Sequence, residues 1–417
     1  MKKVLLLLCA FLGMINVHAQ TNLSVAESFV KAISGQKYDE AVIYFDPSIK
    51  QVNKDVLESG WKQITGMFGD YKSYYIPKDV DANANHIVIG IHFANDVKGF
   101  SCNFNESHKM VGFLLAAAPQ EGNEVAVPSR FQEEEVAVKV KDGTLKGTIM
   151  LPDHKNQFTP IVLIIAGSGP TDRNGNTILG KTNAYKLLAE ALAAKGFATL
   201  RYDKRTVGGS NDFKTTEANL RFEDYVSDAK SMVSFLHDTR NYQSVYIAGH
   251  SEGSLVGMLA AQTVRTDGYI SIAGAGENIA DVLERQVNDK EATTIIEQLR
   301  KGKEVKNVPE SMNTLLRPSV QPYLISWMKY DPAKEIKKLK VPVLILQGTT
   351  DIQVEVNDAK KLKAAHPTAT LNIIEGMNHI LKDAPADRTA NIATYSNPSL
   401  PVNETLVGLM AGFMSAK

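Results

Sequence analysis

From residue 131 onward, short, largely apolar runs alternate with helical ones. That alternation constrains the fold more than any other feature. The bare apolar run at 161–166 and the largely apolar runs at 197–202, 244–248, 269–273, 341–346 and 370–374 read as strands. Between and after them, 184–195, 224–237, 254–263, 357–365 and 404–414 carry helical spacing, as with Val226, Ala229, Val233 and Leu236. A helix-length run stops at Gly196. Strands without polar alternation are buried on both faces, so the order predicts a mostly parallel sheet with helices on either side, an α/β architecture. Strands predicted at 136–140 and 144–151 precede it, around the hairpin signal Asp142-Gly143.

The first part of the chain reads differently. Lys2 and Lys3, an apolar run over 4–12 and Val17-His18-Ala19 match a cleavable export signal over 1–19. Gly13 and Asn16 interrupt the run well short of the ~20 apolar residues a spanning helix needs. Cys9 lies inside the apolar run, which disfavours lipid attachment there. Export predicts a periplasmic or extracellular protein whose single remaining cysteine is Cys102. Residues 20–120 show helical runs at 25–33, 38–45 and 52–67 and strand patterns at 86–93 and 100–115, a small α+β domain. Residues 121–130 read as a linker to a second domain over 131–417. His86 and His92 fall on one strand face without an evident third ligand, so packing histidines are the simpler reading. Equal numbers of basic and acidic side chains, 46 each, argue against a nucleic-acid footprint and against polybasic membrane adhesion.

Four strand ends carry chemistry. Gly249-His250-Ser251-Glu252-Gly253 follows a strand and opens a helix, the context in which G-x-S-x-G lifts a nucleophilic serine onto a strained turn. His250 is read as packing, since a neighbour of the nucleophile on this turn points elsewhere. Asp351 follows the 341–346 strand, where an acid can orient an imidazole and offset its charge. Its competitors are Asp358, which has a helix-start role of its own, and Asp383, which lacks a preceding strand. His379 lies on the loop after the last strand and completes the chain order Ser251, Asp351, His379. His366 and His237 end helices instead. Ala166-Gly167-Ser168-Gly169-Pro170 follows the first core strand. There the backbone N–H of Ser168, with that of Glu252, could meet a developing oxyanion.

A rival motif sits at 175–182, where Gly175…Gly180-Lys181-Thr182 fits G-x-x-x-x-G-K-[ST]. A phosphate loop begins where its strand ends, and here the strand ends near Ala166, so a nucleotide site is disfavoured. An insertion over 276–340 is expected to cap the site. Tyr323, Leu324, Trp327 and Met328 would line an acyl pocket or form the insertion's own core.

Taken together these motifs resemble the α/β-hydrolases of the bacterial carboxylesterase group over 131–417. The stretch from Gly167 to Asn176 resembles that group's oxyanion loop. Arg201-Tyr202-Asp203-Lys204-Arg205 through Gly208-Gly209-Ser210 resembles its R-x-D-x-R-G-x-G-x-S stretch, with Thr206 where a glycine is usual and Ala166 where a histidine heads the loop. Residues 20–120 resemble the nuclear-transport-factor-like domains that precede some exported bacterial hydrolases. The resemblance implies an α/β-hydrolase fold with a helical cap insertion behind a small α+β domain. It implies a serine esterase acting on a small-molecule ester through Ser251, His379 and Asp351, with Ser168 and Glu252 as oxyanion donors. No cofactor or metal, no nucleic acid and no stable membrane insertion are expected, and a homodimer is open. Prolyl-oligopeptidase-like peptidase, thioesterase and lactonase are variants of the same acyl chemistry, and a non-catalytic ligand-binding protein is the alternative from another class.

Overall fold

The structure, a computed structural model, describes residues 21–49, 52–77, 80–119, 131–156, 158–177, 180–287, 289–309, 312–398 and 400–416. The expected export signal and the 121–130 linker lie outside the described residues. The chain divides into two compact units, Met1–Val125 and Ala126–Lys417.

The first unit packs helices on an antiparallel sheet. Helices α1 (Asn22–Ser34), α2 (Tyr38–Val42) and α3 (Lys54–Phe68) precede strands β1 (Tyr71–Tyr75), β2 (His86–Phe93), β3 (Val97–Phe104) and β4 (Met110–Ala117), which pair in that order. Thr21 caps α1 and Asn53 caps α3 through side-chain bonds to backbone N–H groups. An aromatic cluster closes the unit: Phe113 meets Phe29 and Phe100 edge-on at 4.9 Å each, and Trp61 stands edge-on to Phe100. The 100–115 run resolves into two strands joined by a turn, where Asn105 accepts the N–H groups of Ser107 and Lys109. His86 hydrogen-bonds Ser101 and His92 packs on the Tyr75 ring, consistent with surface and packing roles.

In the second unit, β5 (Glu133–Val140) and β6 (Gly143–Met150) form the hairpin, with Asp142 at φ 68° in its turn. Then follow β7 (Ile161–Ile165), α4 (Ala184–Ala194), β8 (Ala198–Tyr202), α5 (Phe222–Ser234), β9 (Val245–His250), α6 (Glu252–Ala261) and β10 (Gly268–Ile272). The insertion contains α7 (Ile279–Val287), α8 (Lys290–Arg300), α9 (Asn313–Leu316), α10 (Gln321–Trp327) and α11 (Pro332–Ile336). The chain closes with β11 (Val343–Gly348), α12 (Val356–Ala365), β12 (Thr370–Ile374), α13 (Arg388–Ala393) and α14 (Glu404–Ser415). The sheet order is β12-β11-β10-β9-β7-β8-β6-β5, parallel from β12 to β8 and antiparallel at the β6 and β5 edge. Ile161, Leu163 and Ile165 of β7 enter one core, while Val162 and Ile164 enter another. Each face of the strand therefore buries apolar surface, which accounts for its lack of polar alternation.

Candidate active site

The parallel strands end on one edge of the sheet, and the loops after β7, β9 and β11 and the loop after β12 converge there. At the end of β9 the chain turns sharply into α6. Ser251 occupies the turn at φ 54°, ψ −121°, a strained conformation for a residue with a side chain. The flanking glycines are dictated by contact. A Cβ on Gly249 would lie 2.1 Å from the Gly253 carbonyl oxygen, and one on Gly253 would lie 2.4 Å from that of Ile165. The N–H of Ser251 donates to the Ile272 carbonyl at 2.9 Å, tying the elbow to β10.

Past β11, Asp351 is buried and fully engaged. Its Oδ1 accepts the N–H groups of Gln353 and Val354 at 2.8 and 2.9 Å, and its Oδ2 accepts Gln347 Nε2 at 3.0 Å. Oδ2 also accepts His379 Nδ1 at 2.8 Å. Burial alone would push this carboxyl up, but the His379 ring beside it and the amides of Val354 and Gln353 prevail and hold it below the usual carboxylate range. The carboxylate fixes the imidazole with Nδ1 protonated, which leaves Nε2 as the basic atom.

Ser251 and His379 line the same cavity, of about 370 Å³, with Gly167 and Ser168. Ser168 stands on the loop after β7, and Glu252 is the first residue of α6, next to the serine. The other proposed acids and histidines are occupied elsewhere. Asp358 caps the start of α12 and accepts the Gly276 N–H, and Asp383 accepts Asn403 Nδ2. His366 ends α12, and His237 contacts the carbonyls of Tyr242 and Arg265. The 175–182 stretch begins well after β7 has ended, and it contributes Gly175, Thr177, Gly180 and Thr182 to the cavity wall.

Several residues essential to this geometry escaped the sequence reading. His250 is more than packing. Its Nε2 donates to the His379 carbonyl at 2.7 Å, and its Nδ1 accepts the Tyr185 hydroxyl at 2.7 Å. Tyr185 in turn accepts the Gly167 N–H at 3.1 Å. Complete burial, with His379 close by, holds His250 down at about 3, so it is neutral. Glu252 is buried and pairs with Lys204 at 2.9 Å while accepting the Tyr323 hydroxyl at 2.7 Å. A charged residue directly after the serine, together with Lys204 in Arg201–Arg205, was the available signal, but only their separation in space shows that they meet.

Among the described residues, none of the insertion lines the cavity. Tyr323, Leu324 and Met328 are buried in the main core, and Trp327 stacks on Phe222 at 5.4 Å. The wall comes instead from Ile352, Gln353, Ile380, Ile392 and Tyr395. Thr206 adopts the turn that a glycine usually takes, at φ 67°, its N–H donating to the Ser210 carbonyl. Among the described residues no cluster of His, Cys, Asp and Glu could hold a metal ion. No helix among them is long and apolar enough to cross a membrane.

The sheet order, the elbow that raises Ser251 at its edge and the Asp351–His379 pair after the late strands make the second unit an α/β-hydrolase fold. The serine aminopeptidase S33 family matches residues 179–308. Esterase EstD of Thermotoga maritima is 24% identical over 371 residues, spanning 85% of this chain and 86% of its own. The esterase Est1E from Butyrivibrio proteoclasticus, solved with ferulic acid, matches with a TM-score of 0.47 at 19% identity, over 68% of this chain and 100% of its own. The Pyrococcus furiosus esterase Pf2001 matches with a TM-score of 0.44 at 17% identity, over 68% of this chain and 92% of its own. The chain is thus similar to serine hydrolases of this fold, esterases among them.

Proposed function

We propose that the protein hydrolyses carboxylic esters of small, uncharged acids through an acyl-enzyme on Ser251. The observation that carries this reading is the buried Asp351–His379 hydrogen bond beside a cavity that Ser251 also lines. Ser251 Oγ attacks the ester carbonyl and His379 Nε2 takes its proton. The tetrahedral oxyanion accepts the N–H groups of Ser168 and Glu252. Collapse expels the alcohol, which receives the proton from His379. A water molecule then gives its proton to His379 and attacks the acyl-enzyme, and the acid departs as Ser251 regains its proton. Asp351 stays ionised and stabilises the imidazolium at each step.

The described cavity lining favours esters over amino-terminal peptides. An aminopeptidase must hold an ammonium group, and the lining residues include no Asp or Glu. The carboxylates beside the cavity are engaged already: Asp351 by His379, Gln347 and two backbone amides, and Glu252 by Lys204 and Tyr323. The cavity volume suits a short acyl group. We further propose that the chain is exported through residues 1–19 and that residues 20–120 form an accessory domain rather than part of the acyl-transfer machinery.

Nitrophenyl esters of rising acyl length, an aminoacyl nitroanilide and a fluorophosphonate label test the function together. Short-acyl esters are expected to turn over and the nitroanilide to resist. Ser251→Ala is expected to lose both labelling and at least ~10⁴-fold in kcat. Nitroanilide cleavage exceeding ester cleavage would establish the peptidase reading instead. A Ser251→Ala variant that labels and turns over like the parent overturns the assignment.

A further inference from the structure

One charged side chain touches both loops that carry the oxyanion donors. Lys204 follows β8 and is buried, its side chain 6% exposed. Its Nζ donates to the Gly167 carbonyl at 3.0 Å and to Glu252 Oε1 at 2.9 Å. It also lies 4.1 Å from the centre of the Tyr225 ring. Glu252 Oε2 accepts the Tyr323 hydroxyl at 2.7 Å, so the carboxylate is held on both oxygens.

The Gly167 carbonyl belongs to the same peptide plane as the Ser168 N–H. In a trans peptide these two groups point in opposite directions, so anchoring one aims the other. A cation on the carbonyl also withdraws electron density from the amide and strengthens its N–H as a donor. The preceding peptide is anchored as well, since the Gly167 N–H donates to Tyr185. The second donor, the Glu252 N–H, sits on the residue whose carboxylate Lys204 grips.

We infer that Lys204 is a positioning residue that fixes the orientation of both oxyanion donors, one through the Gly167 carbonyl and the other through the Glu252 side chain. This inference rests on the esterase reading above. It extends to the insertion, which acts on the oxyanion site through Tyr323 rather than by lining the cavity. The desolvation cost of the buried ammonium is offset by Glu252 and Tyr225, and the net effect raises its affinity for a proton above the ordinary lysine value. It therefore stays a cation throughout the working pH range.

The test uses the full chain with Lys204→Met, the double variant Lys204→Met/Glu252→Gln and Ser251→Ala. Each is assayed for kcat and KM on a short-acyl nitrophenyl ester, and for Ki with a trifluoromethyl ketone. That inhibitor adds Ser251 Oγ to its carbonyl and places an oxyanion in the site. Lys204→Met is expected to lower kcat by about ten- to a hundredfold, with KM within about threefold. The ketone's Ki should rise by the same factor by which kcat/KM falls, while the acidic midpoint of the kcat pH profile stays fixed. A merely structural ion pair would not produce this parallel loss. Should Lys204→Met fail to fold because Glu252 is left buried and unpaired, the double variant strands no charge and carries the same expectation. A kcat within about threefold of the parent, or a fall in kcat with Ki unchanged, overturns the role of Lys204 while leaving the esterase reading intact. A parent without Ser251-dependent turnover overturns both.

Discussion

Ser251 and Thr206 are both held at positive φ, for different returns. Ser251, at 54°, gains its half-buried place on the cavity wall at the sheet edge, whereas Thr206, at 67°, is a solvent-exposed turn residue. A β-branched side chain is poorly suited to that region, at a cost of ~1–2 kcal/mol, part of which glycine's greater freedom in the unfolded chain would cancel. Thr206→Gly is therefore expected to raise the stability of the second unit by about 0.5–1 kcal/mol, read as a higher guanidinium midpoint with an unchanged m-value. A lower midpoint would show that the threonine makes a compensating contact. His250 carries the acid sensitivity of the site. Its folded value is about 3, against about 6.5 in an unfolded chain. Between those values the unfolded chain binds a proton that the folded chain refuses. Stability from this group is thus complete above pH ~6.5 and erodes as the pH falls, by about 3 kcal/mol at pH 4.5. His250→Gln should start from a less stable state at pH 7 and lose about that much less between pH 7 and 4.5. Denaturant unfolding at both pH values, on parent and variant, measures the difference.

At the scale of elements, the later loops rather than the insertion supply the described wall of the cavity. The cavity wall is built from Ile352, Ile380, Ile392 and Tyr395, on the segments after β11 and β12. Ile392 lies on α13 and is nearly half exposed at 48%. Ile392→Ala should shift the preferred acyl group longer by one or two methylenes, each worth ~0.8 kcal/mol or roughly fourfold in kcat/KM. An acyl-length series of nitrophenyl esters reads this shift directly. Trp327→Ala in α10 should leave that series unchanged while costing about 3 kcal/mol of stability through the lost stack on Phe222. A changed acyl preference in Trp327→Ala would place the insertion in the pocket after all. The sequence could not separate these cases. An apolar helix face looks the same whether it covers a core or a substrate, and Tyr323 discloses its partner only once α10 lies beside Glu252. The elbow was legible because its two glycines stand four residues apart in one motif, where a Cβ on Gly249 would strike Gly253 itself. That Asp351 and His379 meet was legible from their places after late strands and from the chain order Ser251, Asp351, His379. Tyr185, His250 and Lys204 were not, because their contacts join segments from 18 to 129 residues distant.

At the scale of the molecule, the chain builds its cores separately. The aromatic cluster around Phe29, Trp61, Phe100 and Phe113 belongs to the first unit, while the clusters on the two faces of the β5–β12 sheet draw on residues from 136 onward. That split follows from the sequence pattern, since the α-then-β order before residue 120 and the alternating order after 131 cannot share one sheet. Cys102, buried in the first unit and pushed up to about 12 by that burial, is a packing residue rather than a reactive thiol. Its alkylation therefore reports on the opening of that unit alone. Two units with their own cores unfold as separate cooperative blocks when each is sufficiently stable by itself. Residues 126–417 expressed alone are expected to fold, to keep kcat on short-acyl esters within about threefold of the full chain, and to label at Ser251 with a fluorophosphonate. In the full chain, modification of Cys102 during a denaturant titration should follow a transition distinct from the loss of esterase activity. If the isolated second unit is inactive, or if both signals share one midpoint and one m-value, the first unit is part of the catalytic fold and the separation of cores does not extend to their stability.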